Sequence, residues 1–421
     1  MCKIRRTQRM LLLTGIIISL NILAWMSPAF CDFYVSRIHP FCLNTYARVI
    51  GWIPFSVGEW MLLAGILVTA AAFAAVIFFL FAYIKGKGSG IRQEGKAVRR
   101  SAAYLAFYAE AALVVMLIMT CNCLIAYHCT PLEEKYHFFP AVTDGQQMEQ
   151  FVNQAGGNQE EESMDQAGGN QMERTGYTAE ELGRMRDYLV HTVNRLAEEI
   201  PRDAQELPVF TGNLYQTAAE SMRRLGVQWE QLEGYYPKAK ELRFSGFFSQ
   251  QRIKGYFFPF SMEANYNGMM QEIHRPATIC HEYAHLKGFL YEDEANMIGF
   301  LACLYSGDPY FCYSGYLSVL YYVDNAFYEA VGKNSEQYYS HVRISDQVRE
   351  DNDFLTEKSW QEVEERAVLR TEVVHQASTR FTEAALTMNG VKDGMQSYGR
   401  VVDLLLKYYD TVSEILSPPQ E

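Results

Sequence analysis

Apolar residues fill the first third of the chain in long runs, whereas beyond residue 130 they recur at intervals among charges. Met10 to about Phe30, Val57 to Ile84 and Ala102 to about Tyr127 each reach the roughly 20 apolar residues that a helix needs to cross a bilayer. The pattern predicts three transmembrane helices. A cleaved signal peptide is the alternative for the first, because Lys3, Arg5, Arg6 and Arg9 precede an apolar run that ends near Ser27-Pro28-Ala29.

After the third run the pattern fades. From about Thr143 to Thr175 the chain is polar and repeats itself, Gln154-Ala155-Gly156-Gly157-Asn158-Gln159 returning as Gln166-Ala167-Gly168-Gly169-Asn170-Gln171, which reads as a flexible tether. Helical periodicity then begins: Thr178 to Glu181 has the form of a capping box, and Leu182, Met185, Leu189, Val193 and Leu196 follow at the spacing of one helix face. The aromatic segment Phe244 to Asn267, punctuated by Gly246, Gly255 and Pro259, fits two or three short strands. Further helices are predicted near 277–287, 292–305, 313–331, 359–386 and 397–416. The expected architecture is three N-terminal transmembrane helices (1–130), a low-complexity linker (131–176) and a mainly helical α+β, zincin-like domain with a small sheet (177–421).

Charge adds an orientation. Basic residues cluster before the first run and between the second and third, at Lys85, Lys87, Arg92, Lys96, Arg99 and Arg100, while the first loop has only Arg37 and Arg48. The N-terminus is therefore expected in the cytoplasm and everything after Tyr127 outside it, in a multi-pass protein of the cell membrane whose partner is the lipid bilayer. The net charge of -12 lies mainly after residue 130, which leaves no basic field for nucleic acid. Nine cysteines, without CxxC pairs, indicate neither a zinc finger nor a disulfide framework. Cys31 with Cys42, and Cys303 with Cys312, are the pairings that spacing allows, but buried free thiols are the preferred reading.

The strongest chemical signal is His281-Glu282-Tyr283-Ala284-His285, between Pro276 near a helix start and Gly288 at a plausible helix end. Residues four apart share a helix face, so both imidazoles can reach one Zn²⁺ while Glu282 points at a metal-bound water. A catalytic zinc takes three protein ligands and keeps one position open. Glu292 is the candidate third ligand and Glu294 its rival, since Gly288 lets the chain reverse and bring Tyr291 to Asn296 against the first helix. Asn296, one turn after Glu292, would orient a ligating histidine, and Ala295 and Gly299 are small enough for close helix packing. Zinc would polarise a scissile carbonyl and acidify its water, and Glu282 would carry the proton to the leaving amine. His274, Tyr316, Tyr398 and Arg400 are candidates for stabilising the oxyanion. Phe258 to Asn267 either offers a sheet edge to an extended peptide or simply packs the core, with Glu263 and Asn265 at a turn.

His281 to His285 followed by Glu292-x-x-Ala295-Asn296 resembles the gluzincin metallopeptidases over about sixteen residues. The resemblance implies His281, His285 and Glu292 as zinc ligands, Glu282 as base and Asn296 as the residue behind a ligand. The gap between His285 and Glu292 is far shorter than in the better-known gluzincins, and Tyr291 stands where a metzincin has its third histidine. The whole layout is similar to an uncharacterised bacterial family, domain of unknown function 3810. The matching phrases are Phe258-Pro259-Phe260, the helix of His281 to Phe289, Glu292 to Asn296, and Ser397 to Leu406. The expected function is a membrane-anchored zinc peptidase acting on a peptide or protein substrate. The alternative is a non-catalytic receptor or scaffold with a structural or vestigial zinc site.

Overall fold

The computed structural model describes residues 6–89, 96–136, 177–388 and 398–416. The duplicated Gln-Ala-Gly-Gly-Asn-Gln tract lies outside them. Two compact units emerge, neither of them one continuous stretch of chain. The first joins Met1–Thr130 to two later segments, Lys240–Phe244 and Phe257–Glu263; the second holds Pro131–Ala239, Ser245–Tyr256 and Ala264–Glu421.

Three helices dominate the first unit: α1 (Arg6–Met26), α2 (Val57–Ser89) and α3 (Lys96–Met119). Three segments, Arg6–Met26, Val57–Ala82 and Val98–His128, are long and apolar enough to cross a membrane. Leu11, Ile66, Phe73 and Phe81 on these helices are 65–68% exposed, an apolar surface consistent with helices that cross a membrane. Hydrogen bonds fix the directions. Asn21 bonds to Thr120, and Arg6 to Glu110 at 3.0 Å, so α1 and α3 run parallel. Tyr104 reaches the Val68 carbonyl and Tyr108 meets Thr69, which holds α3 against α2.

The N-terminal end of α2 is capped from far along the chain. Glu263 accepts the N–H groups of Val57 and Gly58 (3.2 and 2.7 Å) and is paired with buried Lys240, whose ammonium also reaches the Ile50 carbonyl. Glu59, one residue on, accepts the N–H groups of Arg243 and Phe244 at 2.8 and 2.9 Å. A Cβ on Gly58 would lie 2.2 Å from the Phe258 ring, so only glycine lets that ring sit on the helix. Asn122 and Tyr46 hold the carbonyls of Pro259 and Phe260, both at 2.8 Å. The two segments are thus integral to the first unit.

In the second unit, Thr178 and Glu181 form the expected capping box at the start of α4 (Ala179–Glu199), and the expected stripe from Leu182 to Leu196 is buried. Below it come α5 (Leu214–Gly226), α6 (Arg275–Leu286), α7 (Glu292–Tyr305) and α8 (Pro309–Ala330). The last opens four residues earlier than its periodicity predicts, because Asp308 caps it and Pro309 occupies its first turn. The helix expected over 359–386 is two, α9 (Glu357–Arg366) and α10 (Thr371–Met388), broken where Ala367 turns extended and Val368 is left in solvent. A final helix, α11 (Tyr398–Leu416), packs on α7 and α8. Pro131 to Tyr136, which opens the expected linker, contains a helical turn at Leu132–Lys135 with Leu132 buried.

The sheet is small: β1 (Lys240–Glu241), β2 (Gly255–Phe258) and β3 (Glu263–Tyr266), in the order β1-β3-β2. The aromatic segment therefore supplies two strands, preceded by a short helix, Ser245–Gln250, rather than a third strand. β3 is central and wholly buried, so it has no edge to offer a peptide, and Glu263 and Asn265 lie in a strand rather than at a turn. β2 is the edge. All eight cysteines among the described residues are free, Cys31, Cys42, Cys303 and Cys312 included.

Candidate metal centre

The helix that carries both histidines is delimited at each end by backbone chemistry. Pro276 sits in the first turn of α6, where its missing N–H is not needed. At the other end Gly288 adopts φ +92°, and the Phe289 and Gly288 N–H groups return to the carbonyls of Ala284 and His285 (3.1 and 2.9 Å) in a Schellman turn. This reversal delivers the chain directly into α7, whose first turn is Glu292-Asp293-Glu294 at the positive end of the helix. α7 then crosses α6 closely at Gly299, where a Cβ would lie 3.2 Å from both the Ala277 carbonyl oxygen and the His281 nitrogen.

His281, His285 and Glu292 converge, each offering one ligand atom, all within 4.8 Å of one another. Glu292 Oε2 lies 3.3 Å from His281 Nε2, and Oε1 lies 3.6 Å from His285 Nε2. Ligands about 2.0–2.1 Å from a tetrahedral zinc stand about 3.3 Å apart, so these spacings are close to those a zinc ion demands. His285 Nδ1 is 2.8 Å from the Phe289 carbonyl, an acceptor only, so Nδ1 carries the proton and Nε2 presents its lone pair to the cluster. Asn296, one turn after Glu292, is among the side chains that favour the charged form of His281, after Glu292 and Glu282.

The charges in the cluster are unequal. Burial pushes the His285 imidazole down to about 4, which keeps it neutral at pH 7. Burial acts against ionising Glu292 too, but His285 and His281 outweigh it and hold the carboxyl down at about 2. His281 is raised: its burial opposes the charge, and the Glu292 carboxylate overcomes that opposition. Glu282 behaves differently. It is 4% exposed, burial lifts it to about 8, and its Oε2 is buried without a hydrogen-bond partner. A buried carboxylate oxygen left unsatisfied calls for an explanation, and a reacting molecule is one.

Gly255 explains how Glu282 fits. A Cβ at that position would come within 2.5 Å of Glu282 Oε1 and 2.6 Å of Thr278, so the start of β2 lies against this face of α6 only because the residue is glycine. In the sequence Gly255 is marked only as punctuation of the aromatic segment and Thr278 is not marked, although a lone glycine opening an aromatic strand is a recognised sign of close backbone approach.

The other expected residues lie elsewhere. Glu294 accepts the Leu132 N–H at 2.7 Å and is absent from the cluster, so of the two rival carboxylates it is Glu292 that faces the histidines. Arg400 is paired with Asp293 at 3.0 Å. His274 is buried and donates from Nε2 to the Asp353 carbonyl at 3.0 Å, and Tyr316 is buried edge-on to Phe300. Tyr398 opens α11. None of these four belongs to the His–His–Glu cluster.

A family model matches residues 34–406, nearly the whole of both units. The chain belongs to the family described as Protein of unknown function (DUF3810). The match takes in the His281–His285–Glu292 cluster, the sheet and two of the three apolar helices in full. No curated protein and no solved structure matches the chain.

Proposed function

We propose that this DUF3810 protein is a membrane-anchored zinc-dependent peptidase, with its N-terminus in the cytoplasm and its second unit on the extracytoplasmic side. The carrying observation is the pairing of a convergent His281–His285–Glu292 set with the unpartnered buried carboxylate oxygen of Glu282. Three ligands of this chemistry suit zinc and leave a coordination position for a reactant.

Zinc held by these three residues would supply Lewis acidity to a carbonyl oxygen and to water. The protein supplies the rest. Glu282, raised toward neutrality, takes a proton from the attacking water and returns it to the departing amine. Phe289 fixes the His285 ring, Asn296 acts on His281, and Gly255 with Thr278 closes bulk water away from one side of Glu282. A purely structural zinc site has no use for a base beside its first ligand, which favours an enzyme over a receptor or scaffold.

Elemental analysis of the full chain purified in detergent tests the reading. About one zinc per chain is expected, absent from His285→Ala and retained in Glu282→Gln, with peptide hydrolysis present only in the wild type. A folded wild type that stays empty after zinc is added would overturn it.

A further inference from the structure

A cavity of about 520 Å³ opens in the second unit at the N-terminal ends of α5 and α6, within the range of small-ligand pockets. None of His281, Glu282, His285 and Glu292 lines it. Its walls are aromatic: Phe210 packs on Tyr310 with ring centroids 5.3 Å apart, and Tyr215 shares a 2.8 Å hydrogen bond with Tyr266. Two cations face it. The exposed Lys238 ammonium lies 4.4 Å above the Tyr215 ring, and no carboxylate among the described residues pairs with it. Arg275, 21% exposed, donates from one terminal nitrogen to the exposed Glu272 carboxylate at 2.9 Å, a partner that is easily exchanged, and from the other to the Gly268 carbonyl at 3.5 Å, while its Nε is buried without a partner. Asn213, which caps α5 by accepting the Gln216 N–H, also lines the cavity, so the positive end of a 13-residue helix adds to the field.

Lys238 and Arg275 against Glu272 leave one net positive charge, in a chain whose overall charge is -12. That balance matches a monoanion and disfavours a dianionic phosphate. We propose that the cavity binds the carboxylate of an aromatic organic acid, with the Lys238 ammonium and the Arg275 nitrogen that now holds Glu272 on the carboxylate and the ring among Phe210, Tyr215 and Tyr310. Arg275 and Glu282 are i and i+7 on α6, on the same face and about 10.5 Å apart along its axis, or about three extended residues. Thr278 and Glu282 on that face are covered by the start of β2 at Gly255, so the cavity stands apart from the Glu282 carboxylate.

Calorimetric binding to the full chain in detergent, carrying Glu282→Gln so that nothing is cut, separates the two claims. The probes are N-acetylphenylalanine, its amide, and acetyl-Ala-Ala-Phe. The acids should bind about tenfold or more tightly than the amide, and Lys238→Met and Arg275→Met should each weaken the acids by about tenfold without weakening the amide. Tighter binding of the tripeptide than of the single residue would assign the carboxylate to a peptide end; equal binding would assign it to a free acid. The same affinities in His285→Ala would keep the cavity standing even if zinc analysis fails. Equal binding of acid and amide, no binding of either, or indifference to the exposed Lys238→Met change would overturn the proposal.

Discussion

Two buried carboxylates in this chain have opposite fates. Glu263, 2% exposed, is saturated by two backbone N–H groups at the head of α2 and by the Lys240 ammonium. Glu282, similarly hidden, has one oxygen with no partner. A saturated buried charge is a fixture whose removal breaks the fold; an unsaturated one is a standing cost that structure alone does not justify. The contrast separates a structural anchor from a reactive group without reference to any motif.

The largest test of that contrast is Lys240→Met. It strands the Glu263 charge in the first unit and should cost about 3–5 kcal/mol in denaturant unfolding, since breaking a buried pair leaves the partner uncompensated. A loss under about 1 kcal/mol would mean that the N–H groups alone satisfy Glu263. Next, Glu282→Gln should lower peptide hydrolysis by about a hundredfold or more while leaving unfolding stability about equal, because it puts a neutral isostere where burial already disfavours the charge. If the variant is instead clearly destabilised, Glu282 belongs with Glu263. Asn296→Ala should weaken zinc binding by about 10–100-fold in a competition assay with a chromophoric chelator, with the fold intact by circular dichroism.

The smallest effect concerns His274. Burial, aided by nearby Lys254, holds its imidazole well below the ordinary histidine value. The folded state therefore binds fewer protons than the unfolded state once the pH falls below about 6.5, and its stability declines with falling pH from there. His274→Gln should flatten that slope in urea melts between about pH 5 and 7. An unchanged slope would place the acid-sensitive group elsewhere.

How much of this was legible in sequence follows the range of the interactions. The two histidines and Glu282 were readable because helical spacing is local, and the Schellman turn was announced by Gly288. Glu292 was preferred with Glu294 left as its rival, because both fall in the first turn of α7 and the approach of Leu132 to Glu294, which separates them, is not local. The pairing of Gly255 with Glu282 spans 27 positions, and that of Lys240 with Glu263 joins a strand pair; no periodicity encodes either. The same reason hid the two later segments that join the first unit. Two short aromatic-rich segments leave the second unit for the first, and Glu263 reaches α2 across 205 positions. The break between α9 and α10 carries no glycine or proline, so nothing local marks it.

The turn after α6 also decides how well the site withstands mutation. The group that fixes the His285 tautomer is the main-chain oxygen of residue 289, and no side-chain replacement at that position can delete it. A side-chain acceptor in the same role would be one nucleotide change from loss. Vulnerability moves instead to Gly288, whose left-handed backbone any other residue adopts at a cost of about 1 kcal/mol, with asparagine the least disfavoured. Genetic drift can therefore rewrite the side chain at 289, within the limits of its buried position, while the proton on His285 stays where it is.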